Sequence, residues 1–278
     1  MKKIKEYWKM FSMPAKIAAL WLILICSMAL LAGIITRYPC YIPSGSSLEP
    51  PSFTHIIGTD DLGIDLWAQI CYGARTSLMI GFGTALLAGV GGSLFGIFAA
   101  YKGGWVDILM MRIVDMMIIL PQLPLMIVLG AFLGPNIGNI VVVLALFSWT
   151  GIARIVRSKV LSLKQEKYVL AAQSYGASFF YIVKKHFFPS VFPLIMVGMI
   201  RLTSRAIVAE ASLSFLGLGD PASKSWGMIL HHALNFKGIY FTPYWKWWIT
   251  SPLLAVLSVV IAIAFIGREI EKIINMKK

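Results

Sequence analysis

The chain of 278 residues is 58% hydrophobic and only 13% charged, whereas a soluble domain carries about 45–50% apolar and about 25% charged residues. That excludes an ordinary soluble domain and points to an integral membrane protein built from apolar runs of about 20 residues. The net charge of +13 does not call for nucleic acid, because cytoplasmic loops of membrane proteins collect Lys and Arg and the basic residues here lie between apolar runs.

Residues 1–16 are basic and are expected to be a cytoplasmic N-terminal segment. Residues 17–36 form the first predicted span. A signal peptide has a shorter apolar region and a small-residue cleavage site, so this helix is read as retained. Residues 37–75 are an external loop, where Pro39, Pro43, Pro50 and Pro51 break the helix. Leu62, Leu66 and Ile70, with Trp67, are spaced as a short amphipathic helix over 62–72 lying along the outer interface.

The second span is expected over 76–100, rich in glycines that let membrane helices approach closely. The third covers 106–133, with Asp107, Arg112 and Asp115 in its first part and a kink predicted at Pro121 and Pro124. The fourth covers 140–157 and ends in Arg154 and Arg157, opening a long basic stretch. The fifth, 190–215, contains Arg201, Arg205 and Glu210. A second outer loop, 217–246, is rich in Trp and Tyr; Trp226, Tyr240, Tyr244, Trp245, Trp247 and Trp248 read as an interfacial belt. The sixth span covers 248–267, and 268–278 is a basic tail.

Six spans place both termini on one side. Most of the 25 Lys and Arg fall in the N-terminal segment, the 101–105 loop, the middle basic stretch and the tail. The opposite loops hold only Arg37, Arg75, Lys224, Lys237 and Lys246. By the positive-inside rule both termini and the basic stretch are cytoplasmic, in a multi-pass protein of the cell membrane.

No GxxxxGK[ST] occurs, so ATP is not expected to bind this chain by that route. HExxH and CxxC are also absent, and no catalytic constellation or metal site is expected. His231 and His232 are neighbours that point in different directions on a helix. His55 and His186 are each read as hydrogen-bonded polar residues. Cys40 and Cys71 flank the first outer loop, and sequence does not fix whether they pair.

Charges inside a span are costly and are functional or paired. Arg201 and Arg205, four apart, share a helix face and require partners, for which Asp107 and Asp115 are candidates. Two readings of Arg201, Arg205, Glu210 and Asp115 stand open. One is the wall of a polar pathway; the other is a buried network that orients helices.

The basic stretch between the fourth and fifth spans has three general uses: resting on headgroups, idling as a loop, or docking a soluble partner. Residues 164–175 read as a helix whose apolar side is Tyr168, Leu170, Ala171, Ala172 and Tyr175. Gly176 interrupts it, and a second piece over 177–188 ends at Pro189. Two short helices around a glycine suit a socket on a partner better than a lipid surface, which favours a long uninterrupted amphipathic face.

The run LAAQSYGASFFYIVKKHFFP (170–189) resembles the EAA loop of ABC importer permeases. Ala171, Ala172, Gly176 and Pro189 match its spacing. Leu170 stands where the loop has Glu, and His186 and Phe188 stand where it has Ile and Leu. The His form is similar to the subgroup that imports di- and oligopeptides and nickel. IGTDDLGIDLWAQICYGARTSL (57–78) and AEASLSFLGLGDPASKSWGMIL (209–230) are similar to two further signatures of that subgroup, with Ile64 where Arg is usual.

The resemblance covers about residues 15–267 and implies an all-α, six-span type I (MetI-like) permease fold. Its core would be 76–267, with cytoplasmic coupling helices in a loop over 158–189. It implies a homologous second permease, two cytoplasmic ATPases that bind ATP and Mg²⁺ and dock on Ala171, Ala172, Gly176, His186 and Pro189, and an external substrate-binding protein. The implied function is peptide import by alternating access. Nickel or metal-chelate import is the alternative within the family, and a non-transporting structural or receptor protein is the alternative outside it.

Overall fold

The computed structural model describes residues 11–276, and those residues are helical with no strand. The expectations that rest on Lys2, Lys3, Lys5, Lys9, Lys277 and Lys278 lie outside them. In chain order the helices are α1 (Met13–Leu30), α2 (Ala32–Ile35), α3 (Leu66–Lys102), α4 (Gly104–Ile119), α5 (Gln122–Leu133) and α6 (Ile137–Lys164). Two short helices follow, α7 (Lys167–Ser174) and α8 (Phe179–Ile182). A π-helical turn, Val183–Phe187, then leads into α9 (Phe188–Phe215). The chain closes with α10 (Trp226–Asn235), α11 (Trp245–Trp248) and α12 (Thr250–Met276).

Among the described residues, five helical segments are long and apolar enough to cross a membrane, and six if α4 and α5 together make one broken span. The break between α4 and α5 is 89°. This exceeds the predicted kink, because Pro121 lacks the amide proton that would continue the helix and restricts Leu120 to extended backbone (ψ 135°).

α3 is a single helix of 37 residues. It absorbs the helix expected at the outer interface over 62–72. Leu62 is exposed in the preceding turn, while Leu66 and Ile70 are buried. The reason is a start signal upstream of the apolar run. Asp65 caps the helix by accepting a 2.8 Å bond from the Ala68 amide, and its other oxygen lies 2.9 Å from His55 Nδ1. Asp60 holds the turn before it, accepting from the amides of Leu62 and Ile64 and, through its second oxygen, from Gln69 Nε2 at 2.6 Å.

α3 forms the axis of the bundle, packed along α6 and α9. A side chain at Gly92 would put its Cβ 2.5 Å from the Trp149 carbonyl, and one at Gly96 would strike the Ala153 carbonyl. This small-xxx-small pair brings the α3 and α6 backbones together, a contact that lipid does not drive by itself. α1 joins largely through small residues, with Ala15, Ala18 and Ala29 buried while Ile17, Leu20 and Leu24 face outward.

The aromatic outer loop divides. Tyr240 and Trp245 are exposed as a belt requires, but Trp226 and Trp248 are 1% exposed and anchor the outer core with Leu66, Ile70 and Ile229. Trp226 donates its indole N–H to the Ile70 carbonyl at 3.1 Å, so a buried ring keeps its polar atom satisfied. Cys40 and Cys71 are both buried and both free. The predicted tail is helical through Met276 as part of α12.

Candidate functional site

The segment from Lys164 to Pro189 folds into a knob at the end of the bundle where α3, α6 and α9 meet. α7 ends in a Schellman motif: the Gly176 amide donates to the Gln173 carbonyl at 2.9 Å and the Ala177 amide to Ala172 at 3.0 Å. Gly176 has φ +78°, and no atom lies within 4 Å of where its Cβ would be. Glycine is used here for its backbone and not for space. Ser178 then caps α8 by accepting from the Tyr181 amide.

Pro189 does not end the second helix, as its sequence position suggests. The chain runs on into α9 because the backbone widens first. The Phe188 amide donates five residues back, to the Val183 carbonyl, and Pro189 lies in the first turn of α9, where its missing amide proton is tolerated. The Ser190 hydroxyl donates to the His186 carbonyl at 2.9 Å.

The knob has two faces. Val169, Ile182 and Phe187 are fully buried among Ile97, Val156, Val160 and Leu163. Phe179 packs against Tyr101 with ring centroids 4.6 Å apart, and Lys164 Nζ donates to the Tyr101 carbonyl at 2.8 Å, closing the end of α3. The opposite face is apolar and uncovered: Tyr175 is 91% exposed and Phe180 81%, with Tyr168, Leu170 and Tyr181 beside them. A groove of about 430 Å³ runs along Ala172, Tyr175, Ala177, Ser178 and Tyr181. His186 lies between the rings of Tyr168 and Tyr181, at 5.4 and 6.0 Å. Exposed apolar patches of this kind mark interaction surfaces.

Of the expected residues, Ala172 lines the groove, Ala171 and Gly176 are exposed around it, His186 packs behind it, and Pro189 lies at the root of α9. Leu170, in the position of the usual Glu, adds to the exposed apolar face. Sequence alone did not single out Phe180, Tyr181 or the Phe179–Tyr101 contact. The aromatic density of 179–181 is the signal that could have found them.

The in-span charges separate. Asp107 and Asp115 do not pair with Arg201 or Arg205. Asp107 meets Arg157, and Asp115 meets Arg154 Nη2 at 2.5 Å, both from α4 to α6. α4 packs against α6 and lays its two aspartates beside Arg154 and Arg157. Arg201 instead pairs with Glu271 of α12. Glu210 is 1% exposed and accepts from Ser214 Oγ at 2.7 Å and Ser77 Oγ at 3.3 Å. Ser77 Oγ in turn accepts from the Trp226 amide, binding α10 to α3 and α9. Arg205 is exposed and has no ion-pair or hydrogen-bond partner among the described residues.

Residues 92–275 match the family described as the binding-protein-dependent transport system inner membrane component. The dipeptide transport system permease protein DppC of Bacillus subtilis is 44% identical over 186 residues, which is 66% of this chain and 58% of that protein's length. The protein of the same name from Alkalihalophilus pseudofirmus is 35% identical over 268 residues, 94% of this chain and 86% of its own. The oligopeptide transport system permease protein OppC of B. subtilis is 35% identical over 240 residues, 86% and 77% of the two chains.

Proposed function

Since the chain belongs to the family of binding-protein-dependent transport system inner membrane components, we propose that it is one of two permease subunits of an ATP-driven importer of di- and oligopeptides. The observation that carries the coupling role is the knob between α6 and α9, with one face locked into the bundle and the other an exposed aromatic groove. A cytoplasmic ATPase presenting a complementary socket would bury Tyr175 and Phe180. Its movement on ATP binding would then be delivered to α3, α6 and α9 through Phe187, Phe179 and Lys164. ATP and Mg²⁺ belong to that partner, and this chain performs no chemistry itself.

Further partners in this reading are a homologous permease that completes the pathway and an external binding protein that delivers substrate to the outer loops. In this reading the basic knob and both termini face the cytoplasm, an orientation supported by the Lys and Arg distribution. The names of the relatives favour peptide over nickel, and the docking face favours a transporter over a passive receptor.

The test is uptake by the complete complex, reconstituted with its partner permease, ATPases and binding protein. ATP-dependent entry of labelled di- and oligopeptides is expected. ATP turnover with nickel entry and no peptide entry would transfer the assignment to metal transport. Retention of the ATPases after deletion of 165–188 would remove the knob's proposed role.

A further inference from the structure

Arg112, Arg201 and Arg205 lie within the predicted third and fifth spans. Arg201 is neutralised within the chain by Glu271. Arg112 lies in the first third of the broken span α4–α5, from which a long side chain can reach the headgroups. Arg205 has neither recourse. Its neighbours Thr203 and Ile207 pack against Gly81, close to the midpoint of α3. The outer end of α9, at Phe215, is about 15 Å away by helix rise, beyond the reach of its side chain. A bare guanidinium at this depth is costly in lipid, and such charges face a cavity, a water path or a counter-charge.

The surface around Arg205 shows which. On α9 the exposed residues Arg201, Arg205, Val208 and Phe215, with half-buried Ser212, recur at helical spacing and form one stripe. Immediately outward of Arg205 this stripe becomes the floor of an apolar groove of about 330 Å³. Val208, Ser212 and Phe215 form that floor, Leu123 and Ile127 of α5 one wall, and Leu253 of α12 the other. That volume lies at the small end of ligand pockets. Val208, the first α9 residue of the groove, lies one helical turn beyond Arg205 on the same stripe. One turn inward of Arg205, the Arg201–Glu271 pair stands with its charges already matched. The feature this surface lacks is a single negative charge on an apolar body.

We propose that Arg205 and the groove above it form a subsite for the C-terminal residue of the peptide in transit, a reading that rests on the peptide function proposed above. The guanidinium takes the terminal carboxylate, its planar fork matching both oxygens. The groove takes an apolar terminal side chain. The site recognises a free carboxyl end and is indifferent to the rest of the sequence, which suits a carrier of varied short peptides.

The test compares a labelled dipeptide ending in Leu with its C-terminal amide, in proteoliposomes of the complete complex, for the wild type, Arg205→Gln and Arg205→Lys. The binding protein is the same in every arm, so its own preference cancels in the ratio of acid to amide uptake between variants. Arg205→Gln is expected to lower that ratio about tenfold, the loss of roughly one charged contact. Arg205→Lys is expected to restore part of it. An equal fall in acid and amide uptake, or loss of complex assembly, would show Arg205 to be the counter-ion of an acidic residue on the second permease and would overturn the proposal. An unchanged ratio overturns it as well. If the wild type takes up neither peptide, the peptide function falls and this subsite with it.

Discussion

Arg157 grips Asp107 through two parallel bonds, Nε to Oδ1 and Nη2 to Oδ2, each 2.6 Å long. The pair joins the start of α4 to the inner end of α6, one turn from Gly96, whose close contact also includes Arg157. A guanidinium that meets both oxygens of a carboxylate fixes orientation as well as distance. The inner end of the broken span α4–α5 is thereby held to the helix that leads into the knob.

Asp107→Asn should therefore lower thermal stability of the purified protein by about 1–3 kcal/mol, below the cost of breaking a fully buried pair because Arg157 keeps contact with solvent. The reversed pair, Asp107→Arg with Arg157→Asp, should recover part of the loss. A double-mutant cycle on melting temperature checks this; strictly additive effects would deny the coupling.

Gly176 should discriminate substitutes by backbone and not by size. Gly176→Val forces a β-branched residue to φ +78° and should cost about 1–2 kcal/mol at this turn. Gly176→Asn, which tolerates the left-handed region, should cost much less. ATPase co-purification with each variant reports the outcome. Equal loss for both would point to a steric role, which the open space around Gly176 speaks against.

The two faces of the knob should respond in opposite ways. Tyr175→Ala and Phe180→Ala remove exposed rings, so folding should be unchanged while ATPase affinity falls by about 2 kcal/mol, roughly thirtyfold. Phe187→Ala removes a fully buried ring and should destabilise the permease itself by about 3–5 kcal/mol. Parallel measurement of melting temperature and ATPase binding separates the two.

Gly92→Leu should separate α3 from α6. Its side chain would meet the Trp149 carbonyl, a backbone atom that cannot rotate away. A loss of about 1–3 kcal/mol is expected, read as a lower melting temperature. Gly91→Leu, one residue away with open space around its Cβ position, is the matched control and should be nearly neutral.

How far the sequence revealed this arrangement depended on the range of each determinant. The helix–Gly–helix form of the knob is local: Gly176 and the small and apolar residues before it encode the turn, and it was legible. The spans were legible because about 20 apolar residues have few other uses. The long start of α3 was missed because its cap, Asp65, lies among other polar loop residues and its partner His55 is ten positions away. The ion pairs were missed because Arg201 meets Glu271 seventy residues on, and helical spacing shows which residues share a face but not which helix that face meets. The continuity through Pro189 was hidden because a π turn leaves no mark in the periodicity.

α3 contains no proline along its 37 residues, and by helix rise it is about 55 Å long. Its outer end is bound into the first loop by Asp65 and Gln69, and its inner end is held by Lys164 and Phe179 at the root of the knob. Of the adjoining spans, one is broken at Pro121, while the other runs on past Pro189 and Pro193. α3 is thus an uninterrupted rod beside a jointed arm. A displacement at the knob end of α3 is expected to reach its other end as a tilt of the whole rod.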